Sequence, residues 1–173
     1  MAGSRVLLRP LAAEDRDEFL ARVRASRALH HPWVQPPDDD TAFDAWLRST
    51  QTPTSERHLV IVRADGAIGG VFGLSQIFYG PFRSAYLSYH AFEPYAGQGY
   101  MREGLGLVLR HAFGTLRLHR VEANIQPDNA ASIALVRGAG FRLEGFSPRY
   151  LKIAGRWRDH ERWAMLAEEW RRT

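Results

Sequence analysis

The chain has 173 residues, of which 45% are apolar and 24% charged, with a net charge of +4 and no cysteine. That length allows one domain with a real core, and the missing cysteines exclude a fold held by disulfides or by thiolate-bound metal. No apolar run approaches the roughly 20 residues of a membrane helix. Acids enter too early in MAGSRVLLRPLAAEDRDEF for a signal peptide, so a cytoplasmic protein without a membrane partner is expected. All but Lys152 of the 23 basic residues are arginine, and they are interleaved with acids along the chain. A nucleic-acid surface needs them clustered on one face, so nucleic acid is not an expected partner. The mild positive balance suits an anionic ligand or an acidic partner.

Val6, Leu7 and Leu8 predict a first strand. Residues 13–28 place Phe19, Leu20 and Val23 at helical spacing. A proline-rich turn over 31–38 holds Trp33, and a second helix is expected over 39–49, with Phe43, Trp46 and Leu47 on one face. Residues 58–63 and 67–77 read as strands joined by the turn signal Asp65-Gly66. Residues 83–92 alternate like a third strand. A helix is expected over 99–115 and a strand over 120–126. Pro127-Asp128-Asn129 opens a helix that ends at Gly138 and Gly140. Residues 141–145, 150–153 and 158–166 read as three further strands, the last two joined by a turn at Gly155. Trp46, Trp157 and Trp163 are expected in the core or an interface. The order, β-α-α-β-β-β-α-β-α-β-β-β, predicts a single α/β (α+β mixed) domain over 1–173. Its central sheet is mixed and mostly antiparallel, with helices on both faces, rather than doubly wound.

The stretch EPYAGQGYMREGL, residues 93–105, brackets a glutamine with two glycines just before a helix. It is not a Walker loop, because no Gly-Lys-Ser/Thr follows. It is not a dinucleotide fingerprint either: Arg102 stands where the third glycine belongs, and the loop follows a meander rather than the first strand. What remains is a helix N-terminus with free N–H groups, where the dipole favours an anion by roughly 0.3–2 kcal/mol. On the loop alone, a phosphate cradle and a plain strand–turn–helix connection are both open.

The loop has company. RVEANIQPDNAASIALVRGAGFRLEG follows at 120–145. Together the two stretches resemble the GNAT superfamily of acetyl-CoA-dependent N-acetyltransferases. Pro32-Trp33, Ser88-Tyr89, Gly99-Tyr100-Met101, Asn129 with Ser132, and YLKIAGRWRDH at 150–160 are most similar to the ribosomal-protein-alanine branch. Three positions depart from the superfamily pattern: Ala96 where Gln or Arg is usual, Met101 where Gly or Ala is frequent, and Val136 where many members carry a tyrosine acid.

The resemblance implies acetyl-CoA as co-substrate, with no metal, and direct attack of a primary amine on the thioester. Gly97, Gln98, Gly99, Tyr100, Met101 and Arg102 would hold the pyrophosphate, with Asn129 along the pantetheine arm and Arg102 and Arg137 as possible phosphate partners. A backbone N–H of Ala91 or Phe92 would polarise the carbonyl. Ser132 would stand by the sulfur, unless it serves only as a helix-terminal hydroxyl. Glu56, His58 or His90 would take the amine proton. Trp33 and Tyr150 would line the acceptor site. The acceptor is expected to be a protein N-terminus; a small amine such as an antibiotic or polyamine is the alternative, and a non-catalytic CoA-binding regulator a more distant one. A monomer or homodimer is expected.

Overall fold

The computed structural model describes residues 4–50 and 52–170. Seven strands form one sheet: β1 (Val6–Pro10), β2 (Ser55–Val62), β3 (Ile68–Phe78), β4 (Ser84–Ala91), β5 (Arg120–Ile125), β6 (Arg142–Ile153) and β7 (Arg156–Leu166). Their spatial order is β1-β2-β3-β4-β5-β7-β6. Every pair is antiparallel except β4 with β5, which run parallel. The helices are α1 (Arg16–Ala25), α2 (Arg27–His30), α3 (Asp40–Arg48), α4 (Tyr100–Arg110), α5 (Ala130–Gly138) and α6 (Ala167–Trp170). No helix among the described residues is long and apolar enough to cross a membrane.

Strand alternation divides the core in two. On one face Val60, Phe72, Leu74 and Leu87 pack against Leu105, Val108 and Leu109 of α4 and Val136 of α5. On the other, Leu59, Ile61, Val71 and Phe92 pack against Phe19, Leu20 and Val23 of α1 and Phe43 of α3. Each buried Leu or Phe contributes roughly 1.5–3 kcal/mol, so both helical layers are strongly docked. Gly104 lets α4 lie close to the sheet, since a Cβ there would stand 3.0 Å from both Phe72 and Val60.

Three expectations about elements need correction. The helix expected over 13–28 is broken at Ser26, so that α2 is separate from α1. The helix expected to run to 115 leaves α geometry at His111 and finishes as a π-turn, His111–Thr115. The strands expected at 141–145 and 150–153 are one strand, β6, with register slips against β7. It accommodates Pro148 because β6 is the sheet's edge, where a missing N–H costs no ladder bond. Trp163 is buried as expected, whereas Trp157 is exposed.

Candidate functional site

The parallel pairing of β4 with β5 lasts only from Ser84 opposite Arg120 to Tyr86 opposite Glu122. Beyond it the strands part, and Leu87 to Ala91 pair with β3 alone while Ala123 to Ile125 pair with β7 alone. A cleft of about 800 Å³ passes through this fork. It runs from the glycine loop and α5 at one end to Trp33, Tyr86, Tyr150 and His160 at the other. Its described lining contains no Asp or Glu.

At the loop end, Gly97 and Gly99 have φ of +75° and +85°, a region that disfavours any side chain. Gly99 is the N-cap of α4 and no side chain caps it. The first intrahelical bond runs from Glu103 N–H to Gly99 O, which leaves the N–H groups of Tyr100, Met101 and Arg102 ahead of the helix. Gly97, Gly99, Met101 and Arg102 line the cleft, but the side chains of Gln98 and Tyr100 do not. Gln98 Nε2 donates to Pro94 O at 2.7 Å, and Tyr100 packs on the core. Arg5, which sequence reasoning missed, braces the loop. It donates to Gln98 O at 3.1 Å and to Glu103 Oε1 at 2.5 Å, and lies 4.7 Å above the Tyr100 ring.

On the far side of the cleft, Asn129 caps α5, its Oδ1 accepting from Ser132 N–H at 3.1 Å. The capping duty therefore falls to Asn129 and leaves the Ser132 hydroxyl free for another partner, which is Tyr89. The two hydroxyl oxygens are 2.5 Å apart. Tyr89 Oη also lies 3.3 Å from Ser132 O. Burial pushes the Tyr89 phenol up to about 12, with the Ser132 hydrogen bond opposing, so it stays protonated. Val136 is a fully buried core residue. Arg137 is not brought to the cleft: its guanidinium lies 5.4 Å from the Trp163 ring centroid.

The β4 backbone separates the two carbonyl-polarising candidates. Phe92 N–H donates to Gly69 O at 3.0 Å, so it is committed to the sheet and is not the donor expected from sequence. Alternate residues of an antiparallel ladder turn their polar groups to opposite sides. Ala91 therefore turns its N–H and C=O into the fork, where the carbonyl accepts from His30 Nε2 at 2.8 Å.

His30, missed from sequence, meets His90 edge-on at 5.2 Å on the cleft wall. Because Nε2 donates, the neutral His30 ring keeps its lone pair on Nδ1, which is buried without a partner, as is His90 Nε2. Burial, reinforced by His30 and Arg57, holds His90 down to about 3. Burial also lowers His30 and His160. All three cleft histidines are thus held toward the neutral form. A ring titrating near 3 is far too weak a base to take a proton from an ammonium group, which corrects the general-base role expected of His90.

Glu56 and His58 are not in the cleft lining. His58 stands opposite Phe72 in the β2–β3 register and so faces α4. There Glu56 Oε2 meets His111 Nε2 at 2.7 Å, and the His58 ring lies 5.1 Å from that of His111. The expected base role of these two is corrected by their surroundings: neither lines the cleft, and both side chains are turned to His111 at the end of α4. Trp33 and Tyr150 do line that end.

The family model for the acetyltransferase (GNAT) domain matches residues 5–142. A probable N-acetyltransferase, YjcK of Bacillus subtilis, is 32% identical over 174 residues, covering 96% of each chain. The ribosomal protein uS5-alanine N-acetyltransferase of Escherichia coli is 37% identical over 101 residues, 58% of this chain; the match spans about half of that relative, 52%. The structure of Mycobacterium smegmatis RimJ in complex with CoA-disulfide superposes with a TM-score of 0.87 at 28% identity, covering 95% of this chain and 83% of that one.

Proposed function

This chain belongs to the acetyltransferase (GNAT) family and transfers acetyl from acetyl-CoA to an amine; from that premise we propose that its acceptor is the N-terminal α-amine of a protein, as in the ribosomal-protein-alanine type. The observation that carries this reading is the cleft's lack of a carboxylate base: no Asp or Glu lines it, and burial weakens its histidines as bases, His90 most of all. Such a site favours an acceptor that is already partly deprotonated. An α-amine, with a pKa of about 7.7–8.0, is neutral in roughly a tenth or more of molecules near pH 7, whereas a lysine-like or polyamine nitrogen near 10.4 is neutral in only about one of several thousand. A polycationic acceptor would also find no carboxylate to pair with. The E. coli relative that acetylates a ribosomal-protein alanine supports the same acceptor class. A cytoplasmic location, where acetyl-CoA and finished chain ends meet, belongs to this reading.

The chain's own groups then divide the work. The free N–H groups of Tyr100, Met101 and Arg102 and the Arg102 side chain hold the pyrophosphate. The Ala91 N–H receives the oxyanion that forms as the amine nitrogen attacks the thioester carbonyl. The thioester C–S bond breaks as Ser132 passes a proton to the departing sulfur; the nitrogen sheds its proton to water, from which Ser132 is reprotonated, with Tyr89 donating to Ser132 Oγ behind it. Trp33 and Tyr150 flank the incoming chain end.

The test is CoA release from acetyl-CoA with peptides beginning Ala or Ser, against spermidine and aminoglycosides. Turnover with the peptides alone supports the reading. Turnover with the small amines alone moves the enzyme to small-molecule acetylation. Acetyl-CoA binding without turnover on either would favour a regulator.

A further inference from the structure

One cluster lies outside the cleft and has no part in the chemistry above. Glu56 and His58 stand on the α4-facing side of β2, and His111 opens the π-turn that follows α4. One carboxylate oxygen and one nitrogen from each ring lie within 4.8 Å of one another, and all three residues are half-buried. A four-coordinate ion with bonds of about 2.0–2.2 Å keeps its ligand atoms roughly 3.4 Å apart. The 2.7 Å separation of Glu56 and His111 and the 4.8 Å outer limit bracket that spacing, so side-chain adjustments alone would seat an ion.

The geometry points to a divalent transition-metal site in which His58, His111 and Glu56 bind one cation of the zinc class, with water in the fourth position. Two imidazoles select such ions over magnesium or calcium, which take oxygen ligands. The backbone gives independent support. Leu116 N–H donates to His111 O at 3.0 Å, five residues back, so the helix widens at the residue that faces Glu56. Such π-turns occur frequently at functional sites. An ion here would cross-link the start of β2 to the end of α4, outside the cleft lining. Its effect falls on stability, and it does not depend on which acceptor the enzyme uses.

The test begins with the full chain stripped by chelator and titrated with zinc chloride or nickel chloride, read by calorimetry and thermal melting. One ion per chain is expected, with a melting-temperature rise of roughly 5–10 °C at a hundredfold excess over the dissociation constant. Magnesium chloride should give neither. Glu56→Gln, which can keep a hydrogen bond to His111, and His111→Asn should each weaken zinc at least tenfold. The metal-free melting temperature of each variant checks that it still folds. Absence of binding to the wild type overturns the proposal. So does wild-type affinity in both variants, which would place the ion on other histidines, and so does binding with no change in melting temperature.

Discussion

Tyr89 Oη lies 2.5 Å from Ser132 Oγ, bringing a β4 phenol onto the hydroxyl of α5 across 43 residues of chain. With Tyr89 donating, the serine hydrogen is free to point into the cleft. Ser132→Ala is therefore expected to lower kcat about ten- to hundredfold with little change in KM for acetyl-CoA, because the lost proton matters only as the sulfur leaves. Tyr89→Phe should cost less, since the serine remains. Steady-state CoA release on both variants, with melting temperatures as controls, checks this.

The absence of a carboxylate base predicts the pH profile. The rate under low acceptor concentration should climb with pH through the acceptor's own range, about 7.7–8.0 for an α-amine, because the neutral fraction rises with pH. It should show no inflection near the usual histidine value. A profile that breaks near 6.5 and flattens in a His30→Asn variant would assign the base to the imidazole pair.

His90 makes a stability prediction whose sign follows from its depressed pKa. The unfolded ring takes a proton below about 6.5, whereas the folded one waits until about 3. Stability is therefore full above 6.5 and falls with acid through that window, by up to about 1.4 kcal/mol per pH unit from this residue. Urea midpoints between pH 4 and 7 should slope less steeply in His90→Gln than in wild type, whatever the variant's absolute stability.

Glu56→Gln should leave acetyl transfer within about twofold of wild type, because Glu56 lies under α4 and off the cleft wall. A loss of a hundredfold, the scale of a missing general base, would restore the catalytic role that the sequence suggested.

Gly99→Ala tests the cradle. At φ +85° a side chain costs about 1–3 kcal/mol, and the new Cβ would stand 3.0 Å from Arg5 Nη2. The Arg5 guanidinium that braces Gln98 O must give way and the backbone is strained, so KM for acetyl-CoA should rise several-fold, while kcat at saturation changes less.

The elements were legible because periodicity is local: Phe19 and Val23 mark one helix, and Asp65-Gly66 marks one hairpin. The glycine loop, Asn129 and Ser132 were legible because spacing and family resemblance coincide there. The base was not. His58 and His90 are both strand histidines, and only the pairing with β3 shows that one faces α4 and the other the cleft wall. Tyr89 was visible as a motif residue, but its role rests on a contact 43 residues away, and the Arg5 brace spans 98 residues to Glu103. His30 gave no signal beyond its place at a helix end. Phe92 shows the limit for backbone groups: every residue has an N–H, and only the ladder assigns its direction.

The fork between β4 and β5 also has a mechanical meaning. The sheet is two ladders, β1 to β4 and β5 to β7, joined along three residue pairs. A molecule threaded into the gap can lend hydrogen-bonding groups to the strand that β5 has deserted, and so acts as a temporary rung between the ladders. One buried cluster already spans both ladders, with Phe72 and Leu87 on one side and Val121 and Met165 on the other, so the guest adds hydrogen bonds to a seam that packing holds.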